Sequence, residues 1–206
     1  WMLVEGYMDE NPCDKVDMPK LGVYLPSVLS VEEVAAIIDS VGRTDWIGLR
    51  DKAILEVLYG CGLRVSEAVG LRISGLYLDE GFIRIIGKGN KERIVYFNAR
   101  AKIHLQQYLR SRKDKNPALF VSLAKPHNRL QISGVELRLR QLGRKVKLPR
   151  VHPHKFRRTL ATMAIDKGMP VEQVQKLLGH VKIDTTMHYA MVNQTNVKLS
   201  HRKFIG

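Results

Sequence analysis

Apolar positions recur at helical spacing through most of this chain, with one interruption near its middle. Val34, Ile37, Ile38 and Val41 share a helical face, and Ser30-Val31-Glu32-Glu33 reads as a capping box that opens their helix. A second helix is predicted over about 49–59, striped by Ile54, Leu55 and Leu58. Gly60 and Gly62 end it before a third begins near Val65. The period then changes to two. Short alternating or β-branched runs at 76–78, 82–86 and 93–97, with Gly87-Lys88-Gly89-Asn90-Lys91 as a hairpin tip, predict a small antiparallel sheet. Helical spacing returns over 99–112. It continues over a helix opened by a second capping box at Ser133 to Glu136 and running to about Val146, over 153–167 closed by Gly168, and over 171–178 stopped at Gly179. Asp184 can cap a last helix with Tyr189 on its second turn. The expected class is α+β: a mostly helical domain with a small three-stranded antiparallel sheet.

The two ends differ from this middle. Residues 1–8 read as the last turns of a helix stopped by Asn11-Pro12, and Pro19 and Pro26 frame an extended connector. A boundary is therefore placed there, giving 1–25 as the end of a preceding domain with its linker and 26–206 as the main domain. The chain starts at Trp1 and is read as a piece of a longer protein. Residues 194–206 are polar and basic, with only Val197, Leu199, Phe204 and Ile205 to anchor them, so this tail is expected to need a partner surface.

Composition narrows the partner. Lys and Arg number 34 against 20 Asp and Glu, a net charge of +14, and the isoelectric point is near 9.9. That is the electrostatic footprint of a phosphate-backbone binder, although a merely soluble basic protein or one drawn to anionic lipid would share it. The most apolar stretch, 53–63, contains Glu56 and is too short to span a bilayer. Cys13 and Cys61 are the only thiols and lack metal or disulfide spacing, which suits a reducing cytosol. No metal or cofactor is expected.

Single polar residues decide little here. Arg64, at the tight start of a helix, can be a surface arginine. With Glu67 it can form an ordinary salt bridge, or Glu67 can hold a functional guanidinium in place. Lys88 between two glycines can reach away from the body or be a plain turn lysine. His154 and Arg157 share a face of the helix opened by Pro153, where a common anion or a solvated basic face would explain them. His180 can be a C-terminal histidine at the negative pole of its helix, and Tyr189 a core aromatic. As a set, two arginines, two histidines and a lysine on turns and helix ends make a metal-free cage for a phosphate, with a phenol nearby. No Asp or Glu cluster suited to magnesium accompanies them.

Five segments in order resemble the tyrosine recombinase (phage integrase) family. Gly60-Cys61-Gly62-Leu63-Arg64-Val65-Ser66-Glu67-Ala68 is similar to its first arginine motif, and Gly87-Lys88-Gly89-Asn90-Lys91-Glu92-Arg93 to its hairpin lysine motif. His154-Lys155-Phe156-Arg157 resembles the His-x-x-Arg box, Leu177-Leu178-Gly179-His180 the second histidine motif, and Thr185-Thr186-Met187-His188-Tyr189 the segment bearing the nucleophile. The resemblance spans about 26–206 and is nearest in flavour to the Xer-type resolvases and mobile-element integrases. Arg158 stands where many relatives carry histidine, and no histidine closely follows Tyr189; both blur the subfamily without touching the catalytic set.

The resemblance implies that Arg64, Lys88, His154, Arg157, His180 and Tyr189 are catalytic and that Glu67 supports them. It implies cleavage and rejoining of double-stranded DNA through a 3′-phosphotyrosyl bond, without metal or ATP, by a homotetramer joined through C-terminal tails. A cytoplasmic, nucleoid-associated setting follows, and 1–25 becomes the exit from a core-binding domain. Three rivals stand beside it, one of them a regulator that keeps the fold but has lost catalysis, disfavoured because no member of the set is missing. A type IB topoisomerase would share the nucleophile chemistry. A non-catalytic DNA-binding module would use 153–167 and 171–178 as a helix-turn-helix.

Overall fold

The computed structural model describes residues 2–11, 27–42, 44–86, 92–180 and 186–187. The hairpin tip with Lys88, the connector between Pro19 and Pro26, the helix expected around Tyr189 and the C-terminal tail lie outside them. The described residues form seven α-helices and one three-stranded antiparallel sheet, the expected α+β class.

Helix α1 (Val31–Asp39) opens on the expected capping box: Ser30 Oγ accepts from the Glu33 N–H at 3.1 Å, and the Glu33 carboxylate accepts from the Ser30 N–H at 2.8 Å. Leu29, just before it, is tied across the chain to Thr159, whose Oγ1 accepts the Leu29 N–H at 2.9 Å. Helix α2 (Trp46–Gly60) starts earlier than predicted, because Asp45 takes the N-cap and accepts from the Gly48 N–H.

Helix α2 is the centre of the domain. It packs against α3 (Val65–Gly70), α4 (Ala99–Ser111) and α6 (Pro153–Asp166). It buries Ala53, Ile54, Leu55, Val57 and Leu58, and with them Arg50, Asp51, Lys52 and Glu56. The predicted stripe is therefore only part of its covered surface. Burying carboxylates is tolerable because each is answered. Asp51 accepts from Arg50 at 2.9 Å and also from Arg138, and Glu56 pairs with Arg100 at 2.6 Å and contacts His104 at 3.2 Å.

The sheet runs in the order β1 (Leu76–Tyr77), β2 (Phe82–Ile86), β3 (Glu92–Tyr96), with Ile85 opposite Arg93. Ile83, Ile85 and Val95 turn into the core, as a period of two requires.

One expectation is refined and one corrected. The helix end expected over 1–8 is present as a helix C-terminal motif: the Tyr7 N–H donates to the Met2 carbonyl at 2.9 Å and the Gly6 N–H to the Leu3 carbonyl at 3.3 Å, with Gly6 at φ +73°, so the stop falls at Gly6 and not at Asn11-Pro12. Helix α5 (Ile132–Lys145) begins after Gln131, with no side-chain cap, so the box at Ser133 and Glu136 does not form. The burial of Leu130 and the antiparallel bridge between Val121 and Arg129 fix where the chain enters α5, which places Ser133 inside its first turn. A second apolar cluster, Leu160, Ala161, Ala164, Val174 and Leu178, joins α6 to α7 (Val171–Leu178) beside the main core.

Candidate active site

The C-terminus of α7 gathers the site. A helix end leaves carbonyls without intrahelical partners and carries partial negative charge. Here arginines from three distant segments answer them. Arg157 donates to the Leu178 carbonyl from Nη2 and to the Gly62 carbonyl from Nη1. Arg64 Nη2 donates to the Gly179 carbonyl at 3.1 Å. Arg93 Nη2 lies 3.5 Å from the Leu178 carbonyl.

Each reaches this point for a local reason. Arg64 is the N-cap of α3, on the turn after α2 where Gly62 takes φ +62°. A Cβ at Gly62 would stand 2.7 Å from Leu160 Cδ2 and 3.0 Å from Leu178 Cδ2, so both the turn and the close approach of α6 and α7 call for glycine. Arg157 follows Phe156 into the interior and is 5% exposed, which rules out a solvated basic face for it. His154, on the same helix, is exposed, so the two are not a simple surface pair. His180 directly follows Gly179, which takes φ +63°.

Glu67 lies at N3 of α3. Its carboxylate accepts from the Arg64 N–H at 2.9 Å and from Arg64 Nη1 at 3.0 Å, an i,i+3 salt bridge at the start of α3. It also takes a fork from Arg93, at 2.7 and 3.1 Å. Burial works to raise the Glu67 carboxyl, but the hydrogen bonds and charges of Arg93 and Arg64 outweigh it and hold the group below its ordinary value.

The histidines are shifted the other way. Burial first, then Arg157, Arg64 and Arg93, push His180 down to about 4. His154 is lowered by burial, then by Arg158 and Arg157. Both imidazoles are therefore neutral near pH 7, able to accept a proton at one ring nitrogen and donate from the other. His180 Nδ1 lies 2.9 Å from Thr186 Oγ1, and Thr186 is fully buried.

The structure thus brings together Arg64, Glu67, Arg157 and His180, with His154 on the adjoining turn of α6. Lys88 and Tyr189 lie outside the described residues. Sequence reasoning gave no role to Arg93 or Thr186. Arg93 carried a usable signal: it alternates in phase with buried Val95, and a charge on the core face of a strand asks for a buried partner. Thr186 carried none, since no local pattern links it to His180.

Comparison with known proteins agrees with this geometry. The phage integrase family model matches residues 27–196. The chain belongs to that family, and its fold is that of the catalytic domain of a tyrosine recombinase, an enzyme of site-specific recombination. The tyrosine recombinase XerD of Halalkalibacterium halodurans is 36% identical over 206 residues, covering 96% of this chain and 68% of that protein. Among solved structures, XerA recombinase superposes with a TM-score of 0.75 at 30% identity, covering 92% of this chain and 67% of that one. XerH site-specific recombinase, in a post-cleavage complex with its palindromic difH substrate, has a TM-score of 0.75 at 22% identity, over 89% of this chain and 54% of that one; that likeness is one of fold. Neither the topoisomerase nor the non-catalytic module is favoured by these relatives.

Proposed function

We propose that this chain cleaves and rejoins strands of double-stranded DNA at a specific site, with Tyr189 as nucleophile. The observation that carries the proposal is the meeting of Arg64, Arg157 and His180 at the end of α7, two guanidinium groups and an imidazole brought together from three motifs far apart in sequence. Lys88 and Tyr189 enter through their motifs.

The demand of the reaction is charge. A phosphodiester passing through a pentavalent transition state gains negative charge on its non-bridging oxygens, and preorganised donors lower that barrier. A guanidinium suits this need because it stays charged and can bind two oxygens with one planar fork, and Arg64 and Arg157 would meet it by exchanging their carbonyl partners for phosphate oxygens. His180 Nδ1 lies 2.9 Å from Thr186 Oγ1, and in the tautomer where the hydroxyl donates to Nδ1 the ring proton sits on Nε2 as a third donor. Loss of one such donor costs about 2.7–4 kcal/mol of barrier.

Tyr189 Oη attacks phosphorus and passes its proton to His154, whose lowered pKa keeps it in the accepting form. The bond from phosphorus to the 5′ oxygen breaks, and Lys88 gives the leaving oxygen its proton. The products are a 3′-phosphotyrosyl bond and a 5′-hydroxyl. Attack by a second 5′-hydroxyl reverses the step, so exchange of partners needs neither ATP nor metal. XerH, a relative in fold, was captured after cleavage of its own DNA substrate, which supports DNA as the partner here.

The family pattern also supports a tetramer on two duplexes joined through tails such as 194–206, a nucleoid setting in the cytoplasm, and residues 1–25 as the exit from a DNA-gripping domain. Incubation with a nicked suicide duplex in EDTA should give a denaturant-stable adduct, absent in Tyr189→Phe at unchanged DNA affinity. No adduct from this chain, nor from a longer one, on any DNA site would sink the proposal.

A further inference from the structure

Glu67 raises a problem for a phosphate clamp, because it sets a full negative charge against the arginine that must face an anion. Its side chain is 7% exposed, too buried for water to screen it. If Arg64 alone answered it, the two charges would cancel and the Arg64 guanidinium would be held in a closed pair. Arg93 changes this. Its fork puts Nη1 on Oε1 at 2.7 Å and Nη2 on Oε2 at 3.1 Å, while Arg64 Nη1 stands at 3.0 Å on Oε1 alone. The trio keeps a net charge of about +1.

Position divides the labour between the two arginines. The Arg93 side chain is 20% exposed and that of Arg64 is 38% exposed, so the more buried cation meets the carboxylate and the more open one meets solvent. Arg93 has little freedom to leave. Its guanidinium closely approaches Gly179, where a Cβ would stand 3.0 Å from Cζ and 3.0 Å from Nε. Its backbone is held in β3 opposite Ile85.

We infer that Arg93 is a positioning residue for strand cleavage: by forking onto Glu67 it neutralises that carboxylate, so that Arg64 meets the scissile phosphate with its charge undiminished. The inference rests on the proposed role of Arg64 as a phosphate clamp. In Arg93→Gln the carboxylate has Arg64 as its remaining close cation among these three residues and draws it away from the substrate. A distinctive consequence follows for pairs of changes. Glu67→Gln slows the wild-type enzyme, because Arg64 loses its orienting partner. In the Arg93→Gln background the same change speeds cleavage, because it removes the charge that captured Arg64.

The test is single-turnover adduct formation on a nicked suicide duplex recovered, by adduct formation with the wild-type chain, from a pool randomised across the site. Wild type, Arg93→Gln, Glu67→Gln, the double variant and Arg93→Lys are compared, with melting temperature and affinity for the intact duplex measured alongside. Arg93→Gln is expected to cleave roughly 10- to 100-fold more slowly, the usual cost of removing a partner that orients an active group, with affinity little changed. The double variant should be faster than Arg93→Gln, and Arg93→Lys, which keeps the charge without the fork, should be intermediate. Wild-type speed in Arg93→Gln, or losses that multiply in the double variant, overturns the inference. Should Arg93→Gln fail to fold, a folded Arg93→Lys that forms no adduct overturns it equally. Absence of adduct from the wild-type chain and from a longer one is a different result, and it removes the enzymatic reading beneath.

Discussion

Alanine at Gly179, measured beside alanine at Gly168, separates the strain of a left-handed backbone from the crowding of the active-site scaffold. Both glycines have positive φ, +63° and +86°. An added Cβ at Gly168 meets nothing within 4 Å, whereas at Gly179 it meets Arg93 Cζ and Nε at 3.0 Å. Gly168→Ala should therefore cost only the left-handed penalty, about 1–2 kcal/mol. Gly179→Ala carries the same penalty and must also shift a guanidinium pinned by its fork on Glu67. Weakening such charge-assisted bonds adds roughly 1–3 kcal/mol. For a domain of this size each kcal/mol moves the melting temperature by ~2–4 °C. Urea unfolding followed by two probes, with thermal melts, gives both values, and adduct formation on the nicked duplex should fall more for Gly179→Ala. Equal destabilisation by the two changes would refute the claim that Arg93 is locked against Gly179.

Acid should weaken the fold through His180, which titrates near 6.5 when unfolded and at about 4 when folded. The unfolded chain binds the extra proton between these values, so the stabilisation is complete above pH 6.5 and is lost as pH falls toward 4. Discounted for solvent around a half-buried ring, this amounts to ~1–2 kcal/mol. Denaturation between pH 7 and 4.5 should show a shallower loss in His180→Gln, and identical slopes would contradict the assignment. Asp51→Ala should cost about 3–5 kcal/mol, because Arg50 is left buried without its carboxylate. A loss below ~1 kcal/mol in urea unfolding would show that water or another group answers Arg50.

The sequence by itself determined what depends on near neighbours. The Ser30 and Glu33 capping box, the strand over Phe82–Ile86 and the glycine stop after Leu178 all formed as read, because each rests on hydrogen bonds or alternation within a few residues. Five short motifs in order were also enough to point to the family. The Ser133 box failed for the complementary reason: a cap pattern is only a local preference, and the burial of Leu130 together with the Val121 to Arg129 bridge chose another start.

Tertiary structure decided everything that joins distant segments. The buried circumference of α2 depends on Arg138 and Arg100 arriving from other helices to answer Asp51 and Glu56. Sequence left Arg157 open between an anion site and a solvated face, and the Gly62 and Leu178 carbonyls inside the fold decided that it is buried. Glu67, on helix α3, is met by Arg93 from strand β3, 26 residues away in sequence. Local pattern can state which side chains are charged, but only packing fixes which charges meet away from water, where their interactions are strongest.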